Sequence, residues 1–77
     1  MNPGDRVVLN TTRVSVAGDT RRTFASGMVG RICRVSASGS GICCVQFPGR
    51  CLKVNESFLT QTNQPAPPCS QSCTAGC

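Results

Sequence analysis

The stretch from Ile42 to Val54, which reads ICCVQFPGRCLKV, decides the fold of this 77-residue chain. Two apolar-rich runs, residues 42–47 and 50–54, flank the dipeptide Pro48-Gly49, which favours a tight two-residue turn. Side chains alternate between the two faces of a strand, so each run offers one apolar set to a core. The stretch therefore predicts two adjacent antiparallel strands.

The rest of the first sixty residues supplies three more short strands and no helical period. The other predicted strands are Arg6–Leu9, Met28–Val35 and Phe58–Thr60. Between them we expect a long polar first loop over Asn10–Gly27, a flexible turn over Ser36–Gly41 and a single helical turn over Asn55–Ser57. The pattern predicts an all-β, five-stranded SH3-like small barrel, because closing the sheet removes its exposed edges.

Period-two alternation sorts the strand residues into an inner and an outer face. The predicted inward set is Val7, Leu9, Met28, Ile32, Val35, Cys43, Val45, Phe47, Leu52, Val54 and Leu59. The predicted outward set is Arg6, Cys33, Cys44, Gln46, Cys51 and Lys53. If Val35 pairs with Ile42, Cys33 faces Cys44, and the Pro48-Gly49 turn places Cys51 opposite Gln46. In that register, three thiols share one outer patch.

The last seventeen residues differ in composition from the predicted barrel of residues 1–60. Residues 61–68 form a Pro-rich linker, for which we expect an extended, semi-rigid conformation. The linker leads to Cys69, Cys73 and Cys77, spaced four residues apart. We therefore divide the chain into a barrel, residues 1–60, and a Cys-bearing tail, residues 61–77.

Seven cysteines in so short a chain are the main chemical signal, and their odd number leaves one unpaired within the chain. The candidates for cross-links or disulfides are Cys33, Cys44, Cys51, Cys69, Cys73 and Cys77. The three barrel cysteines fit three interpretations: small apolar surface residues, a disulfide, or an all-cysteine metal site completed by a tail thiol, since histidine is absent. The tail suits cross-linking, back to the barrel or to a neighbouring chain. We expect no cofactor, with zinc or an iron–sulfur cluster as the alternative, because the Cys-x2-Cys pairs typical of such sites are missing.

The start of the chain runs from Met1 directly into a strand pattern, without the apolar stretch of a signal peptide, and no run reaches transmembrane length. We therefore expect cytoplasmic synthesis and no membrane partner. Disulfides are uncommon in a reducing compartment, so oxidation would follow assembly or release.

The charge balance is basic, with a net charge of +5 from seven arginines and one lysine against three carboxylates. Such a surface favours an acidic protein partner or nucleic acid. Loops on a rigid scaffold carry recognition, so the partner-binding candidates lie in the long first loop. They are Arg13, Arg21, Arg22 and Phe24. The chain has three phenylalanines and no Trp or Tyr, which disfavours base stacking and proline-peptide recognition.

The sequence contains few residues that could act in catalysis. Histidine is absent, and Asp5, Asp19 and Glu56 lie near predicted turns with no evident pairing. A cysteine nucleophile would need an activating base, for which the sequence offers only arginine. We therefore expect a protein that is not an enzyme.

Four short segments resemble a known group of barrels: Gly4–Val7, Gly27–Ile32, Val45–Phe47 and the closing strand at Leu59. Over residues 3–60 the chain resembles the SH3-like variable chain of ferredoxin–thioredoxin reductase. It is also similar to the ferredoxin-docking SH3-like subunit of photosynthetic NAD(P)H dehydrogenase. The resemblance implies a non-catalytic accessory chain whose arginines suit an acidic electron carrier; the cysteine-rich tail departs from it.

Small barrels of this type also serve as cement, adaptor or baseplate pieces of virus particles. The sequence hypothesis is a structural or accessory subunit, docked on a larger assembly and anchored by its Cys tail. The alternatives are a ferredoxin-system chain, an all-cysteine metal-binding module and a basic nucleic-acid-binding barrel.

Overall fold

The computed structural model describes residues 1–37, 39–71 and 73, and for Ala17 the backbone alone. Its elements in chain order are β1 (Arg6–Leu9), β2 (Arg13–Ala17), β3 (Thr20–Phe24), β4 (Val29–Val35), β5 (Ile42–Phe47), β6 (Arg50–Asn55), a 3₁₀ turn (Glu56–Phe58) and β7 (Leu59–Gln61). The all-β class is confirmed. Within the described ranges, no helix has the length and apolar character needed to cross a membrane.

Five of the strands form one antiparallel sheet in the order β6-β5-β4-β1-β7, and β2 and β3 form a separate hairpin. The five sheet strands are those predicted from the sequence, with ends shifted by at most one residue. The described ladders do not join β6 to β7, so the sheet is open at these two edges. Closure into a barrel is therefore not confirmed.

The core lies on one face of this sheet. Nine of the eleven residues predicted to point inward are buried there, and Met28 and Val35 pack partly buried against them. The buried aromatic pair of this core, Phe24 and Phe47, has ring centroids 5.6 Å apart. The predicted alternation therefore holds for the inner face.

The prediction of a long first loop is wrong, because residues 13–24 form the β2–β3 hairpin. Its register runs from the Arg13–Phe24 pair to the Ala17–Thr20 pair, around a turn in which Gly18 has φ of 59°. A two-residue turn with a positive φ matches the twist of paired strands. The polar composition concealed the strands, because a hairpin with both faces exposed shows at most a short apolar alternation, here only Val14-Ser15-Val16.

The predicted pairing of Cys33 with Cys44 is also wrong. The β4–β5 ladder pairs Ile32 with Val45 and then Arg34 with Cys44, so Cys33 is an extra residue in a β-bulge. A bulge leaves one residue unpaired and redirects its side chain. The pairing of Gln46 with Cys51 is confirmed.

Gly30 on β4 has no room for a side chain. A Cβ atom there would lie 2.7 Å from Val45 Cγ1, 2.8 Å from the Gln46 carbonyl oxygen and 2.9 Å from Phe47 Cδ1. We expect Gly30→Ala to lower the free energy of unfolding by about 1–3 kcal/mol, because two neighbouring strands would have to move apart. Urea unfolding measures this, with Thr20→Ala in the exposed hairpin as a control that should change stability by less than about 0.5 kcal/mol. Equal stability of the two variants would contradict the prediction.

Candidate docking hairpin and the disulfide-bound strap

Residues 62–71 and Cys73 cross the outer face of the sheet, and we call this segment the strap. Residues 62–70 lie outside helix and strand, and Gln71 and Cys73 are helical. Its start is fixed to β1, where the Thr62 amide donates to the Arg6 carbonyl at 2.9 Å. It then passes over β4 and β5 and reaches β6, where Cys73 is bonded to Cys51. The described part of the tail, residues 61–71 and Cys73, is therefore packed on the sheet rather than a projecting arm.

Two arginines of the sheet hold the strap through its backbone carbonyls. Arg6 Nη1 donates to the Asn63 carbonyl at 3.1 Å. Arg31 donates from Nε to the Pro67 carbonyl at 3.2 Å and from Nη2 to the Ala66 carbonyl at 3.4 Å. A proline-rich segment has few N–H groups of its own, so its carbonyls need donors from elsewhere, and the planar guanidinium supplies several at once.

Two disulfides fasten the far half of the strap to the sheet. Cys33 in the bulge of β4 is bonded to Cys69, and Cys51 on β6 is bonded to Cys73. The prediction that the tail cysteines cross-link back onto the strands is confirmed for these four residues. Cys44 is also disulfide-bonded, and the remaining candidate, Cys77, lies outside the described residues.

Gln46 provides the polar contact beneath the strap. Its amide nitrogen donates to the Phe47 carbonyl at 2.7 Å and to the Arg50 carbonyl at 2.8 Å. Its amide oxygen accepts from the Ser70 hydroxyl at 2.6 Å and from the Ser70 amide at 3.3 Å. The side chain is 6% exposed and fully paired, which a buried amide requires.

The outer face of β5 is buried as well as the inner one, and at Gln46 the strap accounts for this burial. Cys44 and Gln46 occupy the outer face, as predicted, but both are buried rather than exposed. Alternation assigns a side chain to a face of the sheet and does not reveal what covers that face. The expected exposed patch of three thiols is therefore wrong: Cys44 is buried, and Cys33 and Cys51 are bonded to the strap.

Cys43 is the free cysteine of the described residues. It points into the core and has no exposed surface. Burial raises the pKa of its thiol, and the carboxylate of Glu56 acts in the same direction. The thiol therefore stays protonated at neutral pH, which makes it a poor nucleophile.

The disulfides use cysteines that the sequence analysis considered as ligands of an all-cysteine metal site. Within the described ranges, no three Cys, His, Asp or Glu side chains are grouped so as to hold a metal ion. A sulfur in a disulfide is not a thiolate ligand, so a site that uses Cys33, Cys51, Cys69 or Cys73 could form only after these bonds are reduced.

The β2–β3 hairpin has two exposed faces. One carries Val14 and Val16, with Arg21 directly opposite Val16 in the ladder. These valines are 51% and 64% exposed, whereas the large apolar side chains of the core are buried. Arg22, opposite Ser15, lies on the other face.

The predicted partner-binding residues fall into two groups. Arg21 and Arg22 are exposed, and neither has a hydrogen bond or ion pair within the described part of the chain. Arg13 is exposed too, but its guanidinium lies 4.8 Å from the centre of the Phe58 ring. Phe24 is 1% exposed and belongs to the core, so the prediction that it contacts a partner is wrong. Phe24 lies at the end of β3, and its side chain packs into the core and so attaches the hairpin to the main sheet.

The carboxylates offer no acid–base pair. Asp5 accepts hydrogen bonds from the Asn2 amide at 2.8 Å and from the Gln61 side chain at 2.9 Å. These bonds, the backbone one first, lower the pKa of Asp5, so it is ionised at neutral pH. Glu56 lies 3.8 Å from the amino group of Met1.

Sequence reasoning missed three functional features: the exposed valines, the Gln46–Ser70 contact and the role of Arg31. The one available signal for the valines was the alternation Val14-Ser15-Val16, since strand residues separated by two share a face. Nothing in the sequence pairs Gln46 with Ser70 or Arg31 with the linker carbonyls, because both contacts depend on the path of the strap.

Comparison with known proteins yields no relative: no family model, no curated protein and no solved structure matches this chain.

Proposed function

We propose that this protein is a non-enzymatic structural or accessory subunit that docks on a larger protein assembly through the β2–β3 hairpin. The observation that carries the proposal is the pair Val14 and Val16, half or more exposed on one face of a hairpin that is separate from the main sheet. Exposed apolar residues beside charged ones are common at protein–protein contacts.

The charge of the hairpin specifies the kind of partner. Arg21 lies beside the valines, and Arg22 projects from the opposite face. Asp19 is the sole carboxylate between residues 6 and 55. An acidic protein surface with a small apolar strip complements this arrangement, because opposite charges steer the encounter and the valines lose their contact with water on docking.

Nucleic acid is a weaker fit to the same hairpin. Single-stranded DNA or RNA binds through stacking on exposed aromatic rings. Phe24 and Phe47 are buried, and Phe58 is half-buried beneath Arg13. The arginines alone would support only salt-sensitive phosphate contacts.

The strand arrangement supports an SH3-like scaffold for this role. In chain order, the hairpin connects β1 to β4, and these two strands are neighbours in the sheet. A 3₁₀ turn precedes the last strand. The strap stiffens that scaffold with two disulfides. Such a unit suits a cement, adaptor or baseplate piece of a virus particle, and the exposed arginines equally suit an acidic electron carrier.

Site-specific photo-crosslinking tests the proposal. A photoreactive amino acid at position 16 should capture a protein of the parent assembly, whereas the same group at position 53, an exposed site on β6, should not. Val14→Ser combined with Val16→Ser should weaken binding of the purified partner by about tenfold or more, as expected for two exposed apolar contacts. Lys53→Ser is the matched control and should leave the affinity unchanged. Equal capture from positions 16 and 53, or capture of nucleic acid alone, would overturn the proposal.

A further inference from the structure

The two described disulfides differ sharply in the exposure of their tail-side cysteines. Cys69 is exposed, whereas Cys73 has no accessible surface. The sheet-side cysteines, Cys33 and Cys51, are both half-buried. Thiol–disulfide exchange requires the incoming thiolate to reach one sulfur of the pair. An outside thiol therefore has access to the Cys33–Cys69 bond through Cys69, while the strap protects the Cys51–Cys73 bond at Cys73.

A positive charge lies near the strap segment that carries the Cys33–Cys69 bond, and the exposure of Cys69 makes Cys33 the leaving sulfur. Arg31, two residues before Cys33, donates to the carbonyls of Ala66 and Pro67, just ahead of Cys69 in the strap. This contact holds a guanidinium charge next to the segment that carries the bond. A nearby positive charge stabilises the negative charge that develops on a leaving sulfur. Once the released Cys33 thiolate has taken up a proton, its S–H can donate a hydrogen bond to the Arg31 carbonyl oxygen, 3.4 Å from Cys33 Sγ.

We propose that Cys69 is an acceptor site for a thiol. The incoming thiolate attacks Cys69 Sγ, the bond to Cys33 breaks, and a new disulfide joins Cys69 to the incoming sulfur. Cys33 leaves with the electron pair as a thiolate and then takes up a proton. One disulfide is exchanged for another, so the step needs no oxidant or reductant. The ligand class is a thiol, supplied by a protein cysteine or by a low-molecular-weight thiol.

The fold can survive this exchange. The strap remains bonded to β6 through Cys51–Cys73 and remains paired with β5 through Ser70 and Gln46. The exchange thus tethers a partner to the strap without releasing the strap from the sheet. The part of this inference in which Cys69 anchors an assembly partner rests on the proposed docking function. The reactivity of Cys69 toward a thiol does not depend on that function.

The test uses the native, oxidised chain and reduced glutathione, with no docking partner present. After timed acid quenching and alkylation of free thiols, tandem mass spectrometry assigns the glutathione adducts to individual cysteines. We expect an adduct on Cys69 with a matching free thiol on Cys33, forming roughly tenfold or more faster than any adduct on Cys51 or Cys73, because burial restricts attack to rare openings. In denaturant this preference should disappear. A first adduct on Cys51 or Cys73, or equal native rates at Cys69 and Cys73, would overturn the proposal.

A second arm identifies the source of the thiol. A peptide with a single exposed cysteine replaces glutathione, and Cys33→Ala/Cys69→Ala is the control variant that should form neither adduct at this site. Reaction with both probes supports a site open to protein thiols, and reaction with glutathione alone restricts the same site to small thiols. Neither arm depends on the hairpin, so loss of docking in the Val14/Val16 variant and loss of exchange at Cys69 are separate results.

Discussion

Full reduction of the disulfides should unfold this protein at room temperature. The Cys33–Cys69 and Cys51–Cys73 bonds close segments with sequence separations of 36 and 22 residues. In the chain-entropy model, each bond taken alone stabilises the folded state by about 3–4 kcal/mol. A domain of this size has a total stability of roughly 3–5 kcal/mol or somewhat more. Losing both constraints removes most of that stability.

The two bonds should not contribute additively. Their segments overlap from Cys51 to Cys69, so either bond alone already restricts much of the chain that the other closes. Opening Cys33–Cys69 alone should therefore cost less than its separate value. This difference allows exchange at Cys69 to leave the fold intact, whereas complete reduction does not.

Circular dichroism melts with and without a phosphine reductant measure the effect. We expect a cooperative transition in the oxidised protein and no folded baseline at 25 °C after reduction. Cys43 provides an internal control, because its buried thiol should resist alkylation in the oxidised protein and react readily once the chain unfolds. A reduced protein that keeps its melting temperature and still protects Cys43 would contradict the prediction.

The strands of the main sheet could be predicted because their apolar residues follow period two against a single core. β1 and β5 have the predicted ends, and the Pro48-Gly49 turn sets the predicted pairing of Gln46 with Cys51. In these elements the local pattern and the tertiary environment agree. The limit appears at Cys33, where one extra residue in β4 shifts the ladder by one and separates Cys33 from Cys44. A bulge of this kind leaves no clear mark in a strand pattern.

The strap and the hairpin show a different limit. The Pro-rich composition of residues 61–68 correctly predicts an extended segment but not its direction. That direction is set by Arg6 and Arg31, which bind strap carbonyls, and by two disulfides. Each disulfide joins cysteines that are far apart in sequence, by 36 and 22 residues. For the candidate site, the sequence identified Arg21 and Arg22 as exposed cations. It did not place them on opposite faces, because the segment was predicted to be a loop and adjacent residues alternate between faces only in a strand.

Phe24→Ala should destabilise the protein by about 3–5 kcal/mol, the usual cost of truncating a buried phenylalanine to alanine. The ring is 1% exposed and packs on Phe47 with a centroid distance of 5.6 Å. Arg50 lies over the Phe24 ring, with its guanidinium carbon 5.6 Å from the ring centre and Nη1 donating to the Thr23 carbonyl at 3.3 Å. Truncation would leave a cavity at the base of the hairpin and deprive Arg50 of its aromatic contact.

The Phe24→Ala variant distinguishes a role of Phe24 in the core from the partner contact that the sequence predicted for it. Thr23→Ala, one residue earlier and exposed, should change the free energy of unfolding by less than about 0.5 kcal/mol. The docking variant Val14→Ser/Val16→Ser should stay within a similarly small range while losing partner affinity. Urea unfolding of the three variants with disulfides intact gives the comparison. If Phe24→Ala kept wild-type stability and lost only partner binding, its ring would be a contact residue and the hairpin would not be rooted in the core. We expect the reverse. Phe24→Ala should lose folding stability and Val14→Ser/Val16→Ser should lose partner binding, because the hairpin is buried at Phe24 and exposed at the two valines.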